Sequence, residues 1–156
     1  MRHSIAYDVV FFIALLATAL ALGAALAHAL ELPNKIHLAK DEYFVVQKAY
    51  RGWNQLAYLL VIELIAMLAL ATLSRHEPRV LWPTIIAIVC LIAAQTVFWI
   101  FTYPANVVTD NWTAVPAHWE DVRTRWEYSH LAGAALQVMA MSALIVAVLA
   151  RARLPG

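Results

Sequence analysis

Four long apolar runs, separated by polar segments, dominate the pattern of this chain. Each run is close to the roughly 20 residues that a helix needs to cross about 30 Å of hydrocarbon. Because backbone groups in lipid must be satisfied within the segment, the runs predict helices rather than strands. The pattern therefore predicts an all-α protein, an integral membrane antiparallel four-helix bundle that forms one domain over residues 1–156. The predicted spans are residues 7–30, 53–73, 81–102 and 126–150.

Composition agrees with a membrane protein. Of the 156 residues, 63% are hydrophobic and 13% are charged, whereas soluble domains have about 45–50% apolar and about 25% charged residues. The formal net charge of +1 gives no reason to expect a nucleic-acid partner. The single cysteine, Cys90, excludes an internal disulfide and a cysteine-based zinc site. The lipid bilayer is therefore the first partner that we expect.

Basic residues predict the orientation of the helices. One side of the membrane carries short segments that are dense in arginine, and the other carries residues 31–52 and 103–125, where basic and acidic residues are mixed. The denser side is expected in the cytoplasm, together with both termini. The alanine-rich, arginine-over-lysine composition is typical of bacteria. We therefore expect a multi-pass protein of the bacterial inner membrane with two extracytoplasmic loops. The arginines of the cytoplasmic side are Arg2, Arg75, Arg79, Arg151 and Arg153.

Two mirror-image motifs lie at the ends of the outer spans. The first apolar run ends with His28-Ala-Leu-Glu31, and the last one begins with Glu127-Tyr-Ser-His130. Residues three apart on a helix share a face, so each motif presents an imidazole beside a carboxylate. Small residues recur at four-residue spacing on both helices, which predicts that these helices pack together. An antiparallel pair would bring histidine near histidine and carboxylate near carboxylate.

These residues, together with Glu63 in the middle of the second span, support three chemistries. Imidazoles and carboxylates suit iron, manganese or copper, as in the bundles that hold metal through a Glu-x-x-His motif. A pair of histidines on facing helices is alternatively suited to axial ligation of a haem. Without a metal, a histidine oriented by a carboxylate would act as a general base. The structural alternative is that they cap or bridge helix ends. The candidate metal ligands are His28, Glu31, Glu63, Glu127 and His130, the haem ligands His28 and His130, and the catalytic residues His130, Glu127 and Glu63.

The last third of the chain resembles a known family. The run Phe98-Trp-Ile-Phe-Thr-Tyr-Pro-Ala-Asn106, then Trp119 and Arg123, and the run Arg125-Trp-Glu-Tyr-Ser-His130 are similar to small bacterial four-span membrane proteins grouped with the anthrone oxygenases. The resemblance implies a reaction with O₂ that needs no obvious cofactor, near an aromatic substrate and a base. The predicted substrate pocket consists of Trp99, Asn106, Trp119, Trp126 and Tyr58.

Two classes of function stay open. The first is a membrane oxidoreductase or oxygenase that acts on a hydrophobic aromatic or quinone-like molecule in a His/Glu pocket near the periplasmic face. The second is a non-catalytic protein that binds haem or a metal, or an accessory subunit, assembled as a homo-oligomer or in a larger membrane complex. A small transporter is disfavoured, because four short spans leave little room for alternating access.

Overall fold

The computed structural model describes residues 5–152, most of which are helical. Arg2 and Arg153, which entered the predicted orientation, lie outside these residues. The helices are α1 (Ile5–Lys35), α2 (Lys40–Gln47), α3 (Leu56–Leu73), α4 (Pro78–Val97), α5 (Tyr103–Val108) and α6 (Trp119–Ala152). Two 3₁₀ turns cover Lys48–Tyr50 and Trp53–Gln55, and a π-helical turn, Phe98–Thr102, joins α4 to α5. Four stretches are long and apolar enough to cross a membrane: Ile5–Lys35, Trp53–Leu73, Pro78–Val108 and Trp119–Ala152.

The four long stretches form an antiparallel bundle, which confirms the predicted fold class. α1 packs against α3 and α6, and α4 closes the ring by packing against α6 and α3. Asp8, near the start of α1, pairs with Arg151 at the end of α6, with 2.7 Å between the charged atoms. At the other end of the bundle His28 on α1 meets His130 on α6. The predicted packing of the first helix against the fourth is therefore confirmed.

Two clusters of buried side chains hold the bundle together. The first lies between the four long helices, and its fully buried members include Met67, Leu70 and Leu144. The second, which we call the aromatic cluster, packs α2 and the residues after α5 onto the start of α6. We call this end of the bundle the loop end. The buried members of the aromatic cluster are Tyr43, Phe44, Ala105, Trp112, Val122 and Trp126.

Three helices extend beyond their predicted ends. α1 continues through Pro33 to Lys35, because a proline in the last turn removes only one backbone donor. The third membrane stretch continues to Val108, and α6 begins at Trp119. The segments 31–52 and 103–125 therefore contain helix as well as loop.

Pro104 accounts for the π-helical turn. Its ring crowds the carbonyl group of Ile100, and it has no N–H to donate to that carbonyl, so the helix widens locally. At the end of this turn the hydroxyl of Thr102 lies 2.6 Å from the hydroxyl of Ser129 on α6. This hydrogen bond fixes the third membrane stretch to the fourth within the motif Glu127-Tyr-Ser-His130. Single π turns inside α-helices often lie at functional sites.

Candidate functional site

Two histidines from different helices stack at the loop end of the bundle. The rings of His28 and His130 are 4.0 Å apart between centroids and lie at 20° to each other. His28 is only 6% exposed. Its Nδ1 atom and the Nε2 atom of His130 are buried without a hydrogen-bond partner in the part of the chain that the structure describes. The predicted approach of the two motifs is confirmed, and one nitrogen of each imidazole is unpaired.

Aromatic side chains surround the stacked imidazoles. The ring of Trp126 lies 4.2 Å from that of His130 and 5.1 Å from that of His28. The rings of Tyr50 and Trp53 lie 4.4 and 5.1 Å from that of His28. We call these five residues the aromatic chamber. Their flat rings provide faces and edges of the kind on which a planar molecule stacks.

A buried lysine lies next to the aromatic chamber. Lys35 is 3% exposed, and its Nζ atom lies 3.1 Å from the carboxylate of Glu127 and 3.7 Å from that of Glu31. Lys35 also donates a hydrogen bond of 2.8 Å to the hydroxyl of Tyr50, and Nζ lies 4.8 Å from the centre of the Trp126 ring. One ammonium group thus connects the carboxylates of both predicted motifs.

Two tyrosines donate hydrogen bonds to the same carboxylates. The Tyr43 hydroxyl donates to Glu127 at 2.8 Å and accepts a hydrogen bond from the amide of Gln47. The Tyr50 hydroxyl donates to Glu31. Burial, reinforced by the Glu127 carboxylate, raises the pKa of Tyr43, and burial and Glu31 raise the pKa of Tyr50. Both hydroxyls therefore stay protonated and remain donors.

Asn106 holds two tryptophans around the chamber. Its Oδ1 atom accepts hydrogen bonds from the indole of Trp126 at 2.9 Å and from that of Trp112 at 3.2 Å. The chain reaches Trp112 through residues 110–112, whose φ angles are 46°, 52° and 67°. Such angles are uncommon outside glycine and cost about 1–3 kcal/mol each. They persist because Trp112 is 5% exposed and its backbone N–H donates to the Thr109 hydroxyl at 3.1 Å.

Glu63 lies apart from this group, in the middle of the bundle. Its side chain is fully buried, and the Nε2 atom of Gln137 lies 3.5 Å from its Oε2 atom. Thr18 is its other polar neighbour. Along α6, Gln137 follows His130 by two helical turns, or about 10 Å. The predicted site residues therefore divide into two sets. Glu63 lies alone in the middle of the bundle, and the others, His28, Glu31, Glu127 and His130, lie at the loop end.

The described side chains do not assemble a metal site of the predicted kind. Among residues 5–152, no group of three or more His, Cys, Asp or Glu side chains is arranged to hold a metal ion. The stacked rings of His28 and His130 face each other, so their nitrogens lie at the ring edges. Axial ligation needs a nitrogen of each imidazole directed at an iron between them. The geometry does not fit a haem held by this pair.

The predicted substrate-pocket residues fall into two groups. Trp126 belongs to the aromatic chamber, Asn106 supports it, and Trp119 packs against the aromatic cluster. Tyr58 and Trp99, by contrast, lie on the surface of the bundle and are 75% and 59% exposed. Their positions near span ends predicted their depth in the membrane but not the face of the helix that they occupy.

Sequence reasoning missed four polar side chains of this site, and two signals could have found most of them. Lys35 lies four residues after Glu31, which places both on one face if the helix continues through Pro33. Tyr43 and Gln47 are likewise four residues apart and share a face of α2. The missed residues are Lys35, Tyr43, Gln47 and Tyr50.

An open groove on the side of the bundle reaches the wall of the aromatic chamber. Its volume is about 290 Å³, and it runs between α1 and the start of α3. Trp53 lines the groove and also contacts His28, so its ring lies between the groove and that histidine. The groove is lined by Ala24, Gly52, Trp53, Gln55, Leu56 and Leu59.

The chain matches no protein-family model, and comparisons with curated proteins and with solved structures gave no match. The chemical capacity of the site follows from its own groups. Each of the two imidazoles has one buried nitrogen without a partner among the described residues, and the ammonium group and the two phenols hold the carboxylates of Glu31 and Glu127. The surrounding rings suit a flat, apolar ligand.

Proposed function

We propose that this protein is a membrane oxidoreductase of the oxygenase type, which acts on a hydrophobic aromatic or quinone-like molecule bound at the aromatic chamber. The observation that carries the proposal is the stack of His28 and His130, whose rings are 4.0 Å apart and whose unpaired nitrogens are buried among aromatic rings. A buried ring nitrogen without a hydrogen-bond partner is costly unless it binds a ligand or takes up a proton.

The reaction that suits these groups begins with removal of a proton from the substrate. An imidazole nitrogen of His130 or His28 takes a proton from an acidic C–H or O–H group, and the substrate becomes an anion. Dioxygen is the oxidant: one oxygen atom becomes the carbonyl of the product. The other leaves as water with the two hydrogens that the substrate loses.

The groove beside Trp53 supplies a route for such a molecule. It opens on the side of the bundle that a bilayer would cover, and its walls are mainly apolar. A hydrophobic compound dissolved in the membrane would reach His28 by displacing the Trp53 ring, without passing through water. Gly52, next to this tryptophan, has a φ angle of 88°, a conformation that glycine adopts at little cost.

The proposed location is the bacterial inner membrane with both termini in the cytoplasm. Arg75 and Arg79 lie in and after the short turn between α3 and α4, and Arg151 lies at the end of α6. This arrangement favours that end of the bundle as the cytoplasmic one. The aromatic chamber would then lie at the periplasmic face. The likeness of residues 98–130 to the four-span group of the anthrone oxygenases supports an aromatic substrate.

Binding and turnover by the purified protein in lipid nanodiscs test the proposal. We expect 1,4-naphthoquinone to quench the tryptophan fluorescence saturably, because Trp53 and Trp126 line the chamber. With anthrone as substrate, we expect protein-dependent uptake of O₂. His130→Ala and His28→Ala should each weaken naphthoquinone binding at least tenfold. Loss of the base should lower the rate of O₂ uptake by about 10²–10⁴.

The matched control is His118→Ala, which removes an exposed histidine between α5 and α6. This variant should bind naphthoquinone and consume O₂ as the unmodified protein does. Non-saturable quenching that is equal in all four proteins would show that the probe only partitions into lipid, and the proposal would then fail.

A further inference from the structure

Three polar side chains from three helices meet in the middle of the bundle. Thr18 of α1, Glu63 of α3 and Gln137 of α6 are 0%, 0% and 4% exposed. Each has an oxygen atom, Oγ1 or Oε1, without a hydrogen-bond partner among residues 5–152. The approach of Gln137 Nε2 to Glu63 Oε2, at 3.5 Å, is long for a hydrogen bond. We call these three residues the central polar group.

Within residues 5–152, the carboxyl group of the central polar group has no nearby cationic side chain. Lys35 is bound to Glu127 and Glu31 at the loop end, and Arg151 pairs with Asp8 at the opposite end. A carboxylate in an apolar interior is very costly without a countercharge and neutralises by taking up a proton. A proton on Oε1 of Glu63 also turns an unpaired acceptor into a donor for Thr18 or Gln137.

Small side chains separate the central polar group from the aromatic chamber. On α6, Ala134 lies between His130 and Gln137 and is 2% exposed. On α1, Ala21 lies between Thr18 and His28 and is 6% exposed. The two helices pack together. Alanine at both positions leaves little side-chain volume between the two polar layers, which are about 10 Å apart along α6.

The two directions along the bundle differ. Toward the loop end, the titratable groups that face the interior are His28 and His130, with Glu127 and Lys35 beyond them. The buried thiol of Cys90 on α4 belongs to the apolar cluster with Met67, Leu70 and Leu144. Toward the opposite end, Met67, Leu70 and Leu144 are fully buried and form part of the apolar cluster. Beyond these apolar side chains lie the buried Ser74 and Thr84, so the described residues favour the loop end as the side from which a proton reaches Glu63.

We propose that the central polar group is a proton-binding site inside the membrane, which exchanges its proton with the loop end past the small side chains of Ala21 and Ala134 and through His130. The proton passes between Oε1 of Glu63 and the unpaired Nε2 of His130 over one or two water molecules, which need polar partners of this kind. The imidazole then exchanges it with the extramembrane side. No electron transfer takes part. The proton on Glu63 does not depend on the substrate proposed above, and the route shares His130 with the proposed reaction.

Infrared spectroscopy of the purified protein in nanodiscs tests the proton on Glu63. We expect the C=O band of a protonated carboxyl group at neutral pH, which is absent from Glu63→Gln. In Thr18→Val the band should persist at a shifted frequency, because its hydrogen bond changes. A spectrum without this band, or a band that remains in Glu63→Gln, would overturn the proposal. So would loss of the band on addition of NaCl, since the group would then hold a sodium ion.

The rate at which the band shifts in D₂O tests the route. We expect Ala134→Leu, which adds bulk between the two polar layers, and His130→Leu to slow the shift at least tenfold. The matched control is Ala135→Leu, the same change on the exposed face of α6, which should exchange like the unmodified protein. If Ala134→Leu does not fold, Ala134→Val makes a smaller obstruction. Equal exchange rates in variants that keep their melting temperature would refute the route through His130.

Discussion

At the scale of single residues, the site depends on how Lys35 is neutralised. A lysine that is 3% exposed is tolerated beside apolar rings because two carboxylates and a phenol surround its ammonium group. Burying an ion pair gives little net stability, but removing one member leaves the other charge unpaired. Lys35 and Glu127 are therefore expected to act as a unit. The same pair fixes α1 to α6 at the level of the stacked histidines.

Lys35→Met tests this coupling. The substitution leaves the Glu127 carboxylate, which is 1% exposed, without its cation, so we expect the free energy of unfolding to fall by about 3–5 kcal/mol. The double variant Lys35→Met, Glu127→Gln should recover most of this loss, because no charge is then left unpaired. Reversible unfolding in mixed detergent measures both values.

Lys40→Met is the control for this experiment. Lys40 pairs with Asp41 at 4.0 Å, but its side chain is 51% exposed, and surface pairs of this kind are worth about 0–1 kcal/mol. If Lys35→Met lowers the free energy of unfolding no more than Lys40→Met does, the coupling of Lys35 to Glu127 is contradicted.

At the scale of elements, the apolar runs predicted the four long helices, and the small residues predicted that the first packs against the fourth. The sequence did not predict where these helices end. Pro33 is compatible with both a helix end and a last helical turn, and the choice between them depends on contacts of Lys35 with residues about 90 positions away. Trp112 reaches the aromatic cluster through left-handed backbone at three residues without glycine, for which local propensity gives no signal.

Asn106 on α5 connects the segment that follows α5 to α6, because it binds the indoles of both Trp112 and Trp126. Asn106→Ala removes the acceptor of two indole N–H groups, and a buried donor without a partner costs about 1–3 kcal/mol. We expect a loss of stability in this range and a red shift of the tryptophan emission as Trp112 becomes more exposed. Asn106→Asp keeps the acceptor and should lose less. The control is Asn54→Ala, at an exposed asparagine, which should leave the stability and the tryptophan emission unchanged. Equal changes in Asn54→Ala and Asn106→Ala would contradict the role of Asn106.

At the scale of the whole molecule, one end of the bundle differs from the other. The opposite end is closed by apolar packing and by the pair of Arg151 with Asp8. The loop end gathers the aromatic rings, the buried lysine and the stacked histidines, and a groove leads to it from the side. The sequence predicted the two motifs and their approach because antiparallel spans bring their ends to the same depth. The contribution of the loops depended on tertiary packing and could not be predicted in this way.

Photolabelling with an azido-naphthoquinone is the most direct test of the aromatic chamber as a binding site. After illumination of the protein in nanodiscs, mass spectrometry identifies the labelled residues. We predict labels on residues 50–53 and 126–130, which excess 1,4-naphthoquinone suppresses. Labels confined to exposed aromatic residues such as Trp82 and Trp99, and unaffected by the competitor, would contradict the account.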